Sequence, residues 1–341
     1  MKIQIPHQLS PLNALNFSKY LASCHRENEF IYDFSHMQHC PAFGMLIVAD
    51  AIRKNINSFP QATHTPINYQ STQGCNFASE FGFFQACGWD IGRLPSSTAY
   101  GTTYIPIKKI SISDLQSRYL SSTIVLGEMI DRHSFELATT LTQAQDSQAT
   151  KILQYCLREI IRNSYEHGKT EEVWVCGQFW ENRQSAQIAV IDSGCGIYKS
   201  LRQNRHYNPR NDKEANLLAL QPGVTRTYGL KQCDDFWDNS GYGLFMASSI
   251  CCKGGFFWLC SGTDATLVNS DGQLNYQVQY NGTAICMDIH TDRIKDIEAI
   301  LPEIALKGRH EAEKSGSSRV LTASKVSTIA SLINSPKDAK K

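Results

Sequence analysis

A chain of 341 residues, 42% of them hydrophobic, is long enough for two proper cores, and its formal net charge of +1 excludes a surface that coats nucleic acid generally. Its 12 cysteines are scattered without a C-x-x-C pair, which excludes a disulfide scaffold and a zinc framework. They read as small buried residues of a reducing cytoplasm; His36, His39 and Cys40 cluster, but no second cluster stands at a metal-binding spacing.

In chain order, Met1–His7 reads as a short alternating strand with no targeting signal before it. Glu29–Phe34 is a strand pattern, Phe43–Lys54 an apolar helix, Pro66–Tyr69 a strand, Phe77–Gly88 helical, and Thr102–Ile110 an alternating Thr/Tyr/Ile strand. Residues 1–112 are therefore expected to form an α/β unit. The most apolar run, Phe43–Ile52, is too short to span a bilayer and contains Asp50, so no membrane association is expected. Residues 113–149 read as a helical connector, with apolar clusters at Leu115–Leu120 and Phe135–Leu141; it either packs beside the next sheet or forms a homodimer contact.

The segment Leu157–Gly168 is an amphipathic helix whose polar face carries Glu159, Asn163 and His167 at four-residue steps. A carboxylate, an amide and an imidazole in a row suit a magnesium ion with its waters; they also suit an ordinary solvated face. Downstream, the apolar strand run Ala189–Asp192 turns through Gly194 and Gly196. Asp238–Met246 places Gly241 and Gly243 at the mouth of an apolar helix, and Asn281–Ile289 has Gly282 and Thr283 entering a strand. Paired glycines let backbone N–H groups approach an anion, and a helix N-terminus adds partial positive charge. Gly168-Lys169-Thr170 is not a P-loop, because Asn163 occupies the position where that motif needs glycine and the tripeptide ends a helix. Between the glycine pairs, Tyr198–Ser240 is polar and rich in Arg and Lys, as a mobile lid would be; Arg226 and Lys231 are its candidates for meeting a terminal phosphate. Residues 293–341 read as a helix from Ile294 to Leu306, a further apolar stretch at Val320–Ile333 and a Lys-rich solubilising tail.

In this order the boxes resemble the Bergerat-fold (GHKL) ATPase superfamily, which includes gyrase, the mismatch-repair ATPases, histidine kinases and the anti-sigma-factor serine kinases. The resemblance covers residues 150–292 and implies an α/β sandwich that binds ATP and Mg2+. By it, Asn163 is the magnesium-binding asparagine, and Asp192 accepts a hydrogen bond from the adenine amino group, with Thr283 assisting through water. Gly194 and Gly196 shape the pocket, and Gly241 and Gly243 close the lid over the phosphates. Histidine kinases usually carry asparagine where this chain has Glu159. A carboxylate there can orient or deprotonate a water or a serine hydroxyl, so Glu159 is the candidate catalytic base. The implied functions are an ATPase-driven conformational switch, a serine/threonine kinase acting on another protein in trans, or a nucleotide sensor without turnover. Each implies a protein partner.

Tyr32–Leu46 also resembles the strand, loop and helix of a STAS domain, the anti-sigma-antagonist fold. In functional antagonists a phosphorylatable serine precedes the helix glycine; aligned on Gly44, this chain has Ala42 or Phe43 there. The resemblance therefore implies a docking or sensing module without a phosphoacceptor.

Overall fold

The computed structural model describes residues 1–93, 98–99, 102–119, 125–226 and 241–314. The architecture is mixed α/β. In the first unit β1 (Lys2–Gln4), α1 (Pro11–Ala22), β2 (Glu29–Asp33), α2 (Ala42–Ser58) and β3 (Thr63–Ile67) alternate, and the strands form a parallel sheet in the order β1-β2-β3. Both crossovers are helical, as parallel pairing requires. Helix α1, missed in the sequence, starts on the Ser10 hydroxyl, which accepts from the Asn13 N–H, with proline in its first turn. The expected helix over Phe77–Gly88 is two: α3 (Gln73–Glu80) and α4 (Phe83–Cys87), separated at Gly82, whose φ of 69° breaks the helical path.

The second sheet has six strands in the order β4-β5-β6-β7-β9-β8, all antiparallel. They are β4 (Thr98–Ala99), β5 (Thr102–Ser111), β6 (Glu172–Trp180), β7 (Ser185–Asp192), β8 (Phe256–Asn269) and β9 (Gly272–His290). Strand β5 pairs with β6, so it belongs to this sheet and not to the first unit; the expected boundary at residue 112 falls too late. Helices α5 (Ile112–Arg118) and α6 (Leu126–Thr142) likewise form no separate connector: α6 lies on the sheet beside α7 (Gln148–Glu166). The remaining helices are α8 (Gly196–Leu201), α9 (Asp212–Ala219), α10 (Gly243–Cys251) and α11 (Ile297–Lys314). The Val320–Ile333 and tail readings lie outside the described residues, as do Lys231 and Asp238–Ser240.

Both faces of the larger sheet are covered, and alternation along each strand divides the two cores. From β7 and β9, Ile188, Val190, Ile285, Met287 and Ile289 point into a core shared with α6, α7 and α10. Ala189, Ile191, Ala284 and Cys286 point the other way, towards α2 and the first unit. Every residue of β7 is buried, and its centre, Ile188–Ile191, accordingly reads as an unbroken apolar run. The same arrangement explains α2: lying between two sheets, it is buried without interruption from Ala42 to Ile52, as a helix apolar on all sides must be. Among the described residues no helix is long and apolar enough to cross a membrane. The described cysteines are all free thiols, and no described group of His, Cys, Asp or Glu could hold a metal by itself.

Candidate functional site

Helix α7 supplies one wall of a cleft lined also by Asp192, Gly196, Gly241, Gly243 and Thr283. The Ser147 hydroxyl caps the helix by accepting from the Thr150 N–H. Its polar face is not solvated: Glu159 is 4% exposed, and Asn163 and His167 follow it along the cleft wall. One oxygen of Glu159 accepts from Arg158 at 2.7 and 3.2 Å. The other lies against Gly243, where a Cβ would come within 2.6 Å of it. Glu159 thus faces the N-terminus of α10, where a negative charge is favoured. Arg158 is itself 3% exposed and stands 3.6 Å from Asp131 on α6. The sequence reading missed Arg158, because a charge beside the amphipathic face looks like another solvated residue.

The adjoining wall is made where β7 ends beside α7. Asp192 is 2% exposed, and its Oδ1 accepts from the Gly194 N–H at 2.9 Å and the Thr283 N–H at 3.3 Å, with a further bond from the Ser164 hydroxyl. Burial raises its carboxyl above the ordinary aspartate value, and the three donors oppose that shift. Antiparallel register sets Thr283 directly opposite Asp192. Thr283 does not enter a strand, as the sequence suggested; β9 begins at Gly272 and kinks at Gly282, with the pairing to β8 shifting register there. Gly282 has φ 112°, and a Cβ on it would lie 2.0 Å from the Asp192 carbonyl oxygen, so only glycine fits.

The turn after Asp192 is locked onto the end of α7. The Cys195 N–H donates to the Gly168 carbonyl at 2.9 Å, and a Cβ on Gly194 would reach within 2.2 Å of the same oxygen. Gly196 opens α8 with φ 74°, and the next N–H, that of Ile197, donates to Ser261 Oγ at 3.0 Å. Gly241 and Gly243 line the cleft at the start of α10. Arg226 closes the far end, donating to the Glu166 carbonyl at 2.7 Å and to Gln203 at 3.3 Å. The structure therefore gathers Glu159, Asn163, Asp192, Gly196, Gly241, Gly243 and Thr283 around one cleft, with Gly194 packed behind it.

Three polar atoms of the cleft residues are buried without a hydrogen-bond partner: Asn163 Nδ2, His167 Nδ1 and Arg226 Nε. Buried polar atoms are nearly always satisfied, so these three are local polar conflicts beside the cleft. Burial pushes His167 down to about 4, and the neighbouring Arg226 and Arg162 act in the same direction. The ring is neutral at pH 7. The unfolded chain takes up this proton near 6.5, so the folded state is at full stability above that value and loses it as pH falls towards 4. His133, desolvated on α6 beside Lys108, is pushed the same way. Denaturation midpoints should decline from pH 7 to pH 4.5, and His167→Asn should remove part of that slope; an unchanged slope would show that His167 is solvated.

Comparison of the chain with protein-family models, with curated proteins and with solved structures finds no match. Function is therefore read from the site.

Proposed function

We propose that this chain is a Bergerat-fold ATP-binding protein that hydrolyses Mg-ATP to drive a lid-closure switch controlling a protein partner. The reading rests above all on one observation: a buried carboxylate, Asp192, and an amide-bearing helix face, Glu159 to Asn163, line one cleft together with the first residue of α10. On this reading Asp192 takes the adenine amino group and Thr283 supports it. Gly241 and Gly243 bring the α10 N-terminus to the phosphates, and Arg226 offers a cation. Asn163 lines the cleft and would offer its amide oxygen to a cation. Mg2+ usually arrives with phosphates and keeps several waters, so it needs few protein ligands. When bound, magnesium would neutralise phosphate charge. Glu159, fixed by Arg158 through one oxygen, would aim the other at an attacking water.

The same free oxygen would serve a serine hydroxyl, so an anti-sigma-type serine/threonine kinase acting in trans is the second reading. The first unit fits a STAS-like module that docks rather than accepts phosphate: Ala42 and Phe43 carry no hydroxyl and are buried, with the Phe43 N–H donating to Gln187 on β7 at 3.4 Å. A cytoplasmic setting accords with this reading. γ-Labelled ATP with magnesium tests it directly. Free phosphate is expected; label on a co-purified protein would select the kinase, bound ATP without turnover the sensor, and no binding would end the proposal.

A further inference from the structure

The larger sheet receives an electrostatic contact from the first unit directly behind the adenine side of the cleft. Asp50 of α2 is 1% exposed. Its Oδ1 accepts from Arg53 at 2.6 Å, and its Oδ2 meets Lys54 at 2.7 Å and accepts from the Tyr280 hydroxyl at 3.0 Å. Two of these partners belong to its own helix, while the third comes from β9. Lys54 bridges the same gap, donating to the Asn281 carbonyl at 3.5 Å with its ammonium 4.8 Å from the centre of the Tyr280 ring. Arg53 stacks 3.9 Å over Trp174 of β6, so the base of the contact is fixed to the sheet.

Tyr280 and Asn281 run straight into Gly282 and Thr283, the kink that closes against Asp192. The Gly282 carbonyl accepts from Ser261 Oγ at 2.8 Å, and that oxygen accepts from the first N–H after Gly196 at 3.0 Å. A displacement at Tyr280 would therefore reach both the backbone that holds Asp192 and the turn that opens α8. Lys54 is also close enough for its charge to favour the ionised form of Asp192.

We propose that Asp50, Lys54 and Tyr280 form a positioning clamp through which the N-terminal α/β unit sets the affinity of the cleft for nucleotide. The proposal rests on the reading of Asp192 as the adenine anchor. By linkage, whatever moves α2 changes nucleotide affinity, and nucleotide binding changes α2 by the same factor. The clamp residues touch no ligand; they act through the Gly282–Thr283 backbone.

The test is calorimetric titration of the full chain with Mg-ADP, comparing wild type with Lys54→Met and Tyr280→Phe. Lys2→Met serves as a control, since it removes an ion pair to Asp33 elsewhere in the first unit. Both clamp variants should bind about fivefold more weakly or worse, and Lys2→Met should match wild type. Combined with Asp192→Asn, the clamp variants should lose less than the product of the separate losses. Wild-type affinity in both clamp variants, or purely multiplicative losses in the double variants, would overturn the clamp. Failure of wild type itself to bind would instead overturn the nucleotide reading. A clamp variant that does not fold would be replaced by Lys54→Gln, which keeps a donor for Asn281 without the charge and should recover part of the affinity if the clamp is real.

Discussion

Replacing Asp192 with asparagine is expected to weaken Mg-ATP binding by roughly 30- to 100-fold, the cost of losing a charge-assisted hydrogen bond in a desolvated site. The substitution is informative because it spares the architecture. An asparagine can present its Oδ1 to the Gly194 and Thr283 N–H groups as the aspartate does. What changes is the other position, where an acceptor becomes a donor and meets the adenine amino group with N–H against N–H. The free protein should not suffer. Burial holds the folded-state carboxyl above its ordinary value, so the folded chain binds this proton more tightly than the unfolded chain. Stability therefore falls as pH rises through that acid range, and at pH 7 the ionised Asp192 is a cost to folding. Asp192→Asn should melt at the same temperature as wild type or higher, while calorimetry records the loss of affinity. Unchanged ATP affinity would remove Asp192 from the adenine site.

Retention of such a carboxylate is the kind of local conflict that marks a functional position, and it shows why parts of this site were legible in the sequence. Glycines at Gly194, Gly196 and Gly243 could be read because each answers a backbone demand: close packing on Gly168, a positive φ, or contact with Glu159. The row Glu159, Asn163, His167 could be read because helical spacing alone puts it on one face. Arg158 could not, since its role depends on Asp131, which the fold brings from another helix. Thr102–Ile110 reads as a strand, but its sheet does not read, because a strand's pattern reports which faces are covered and not which neighbour it pairs with. Helix α1 is hard to read although Ser10-Pro11 is a start signal; its buried positions Ala14, Leu15, Phe17 and Leu21 are broken up by polar residues. The uninterrupted apolarity of α2 registered as helix, but not as a helix held between two sheets. That fact, which brings Lys54 behind Asp192, emerges only when both sheets are in place.

Glu159→Gln should lower phosphate release by about 10²- to 10⁴-fold, the usual contribution of a positioned base, while Mg-ATP affinity changes by no more than a few-fold. Glutamine is the right replacement. It still offers Arg158 an acceptor, whereas removal of Arg158 would leave Glu159 a buried carboxylate without its cation, a loss of about 3–5 kcal/mol that would confuse stability with catalysis. The exchanged group is the oxygen facing Gly243, which becomes an N–H and can no longer accept a proton or the hydrogen bond of an attacking water. Asn163 and Asp192 are untouched, so binding should persist. Single-turnover release of labelled phosphate, read beside calorimetry on the same preparation, separates the two effects. Equal loss of binding and turnover would make Glu159 a structural partner of Arg158 and the α10 N-terminus. Turnover unaffected by the exchange would place the base elsewhere.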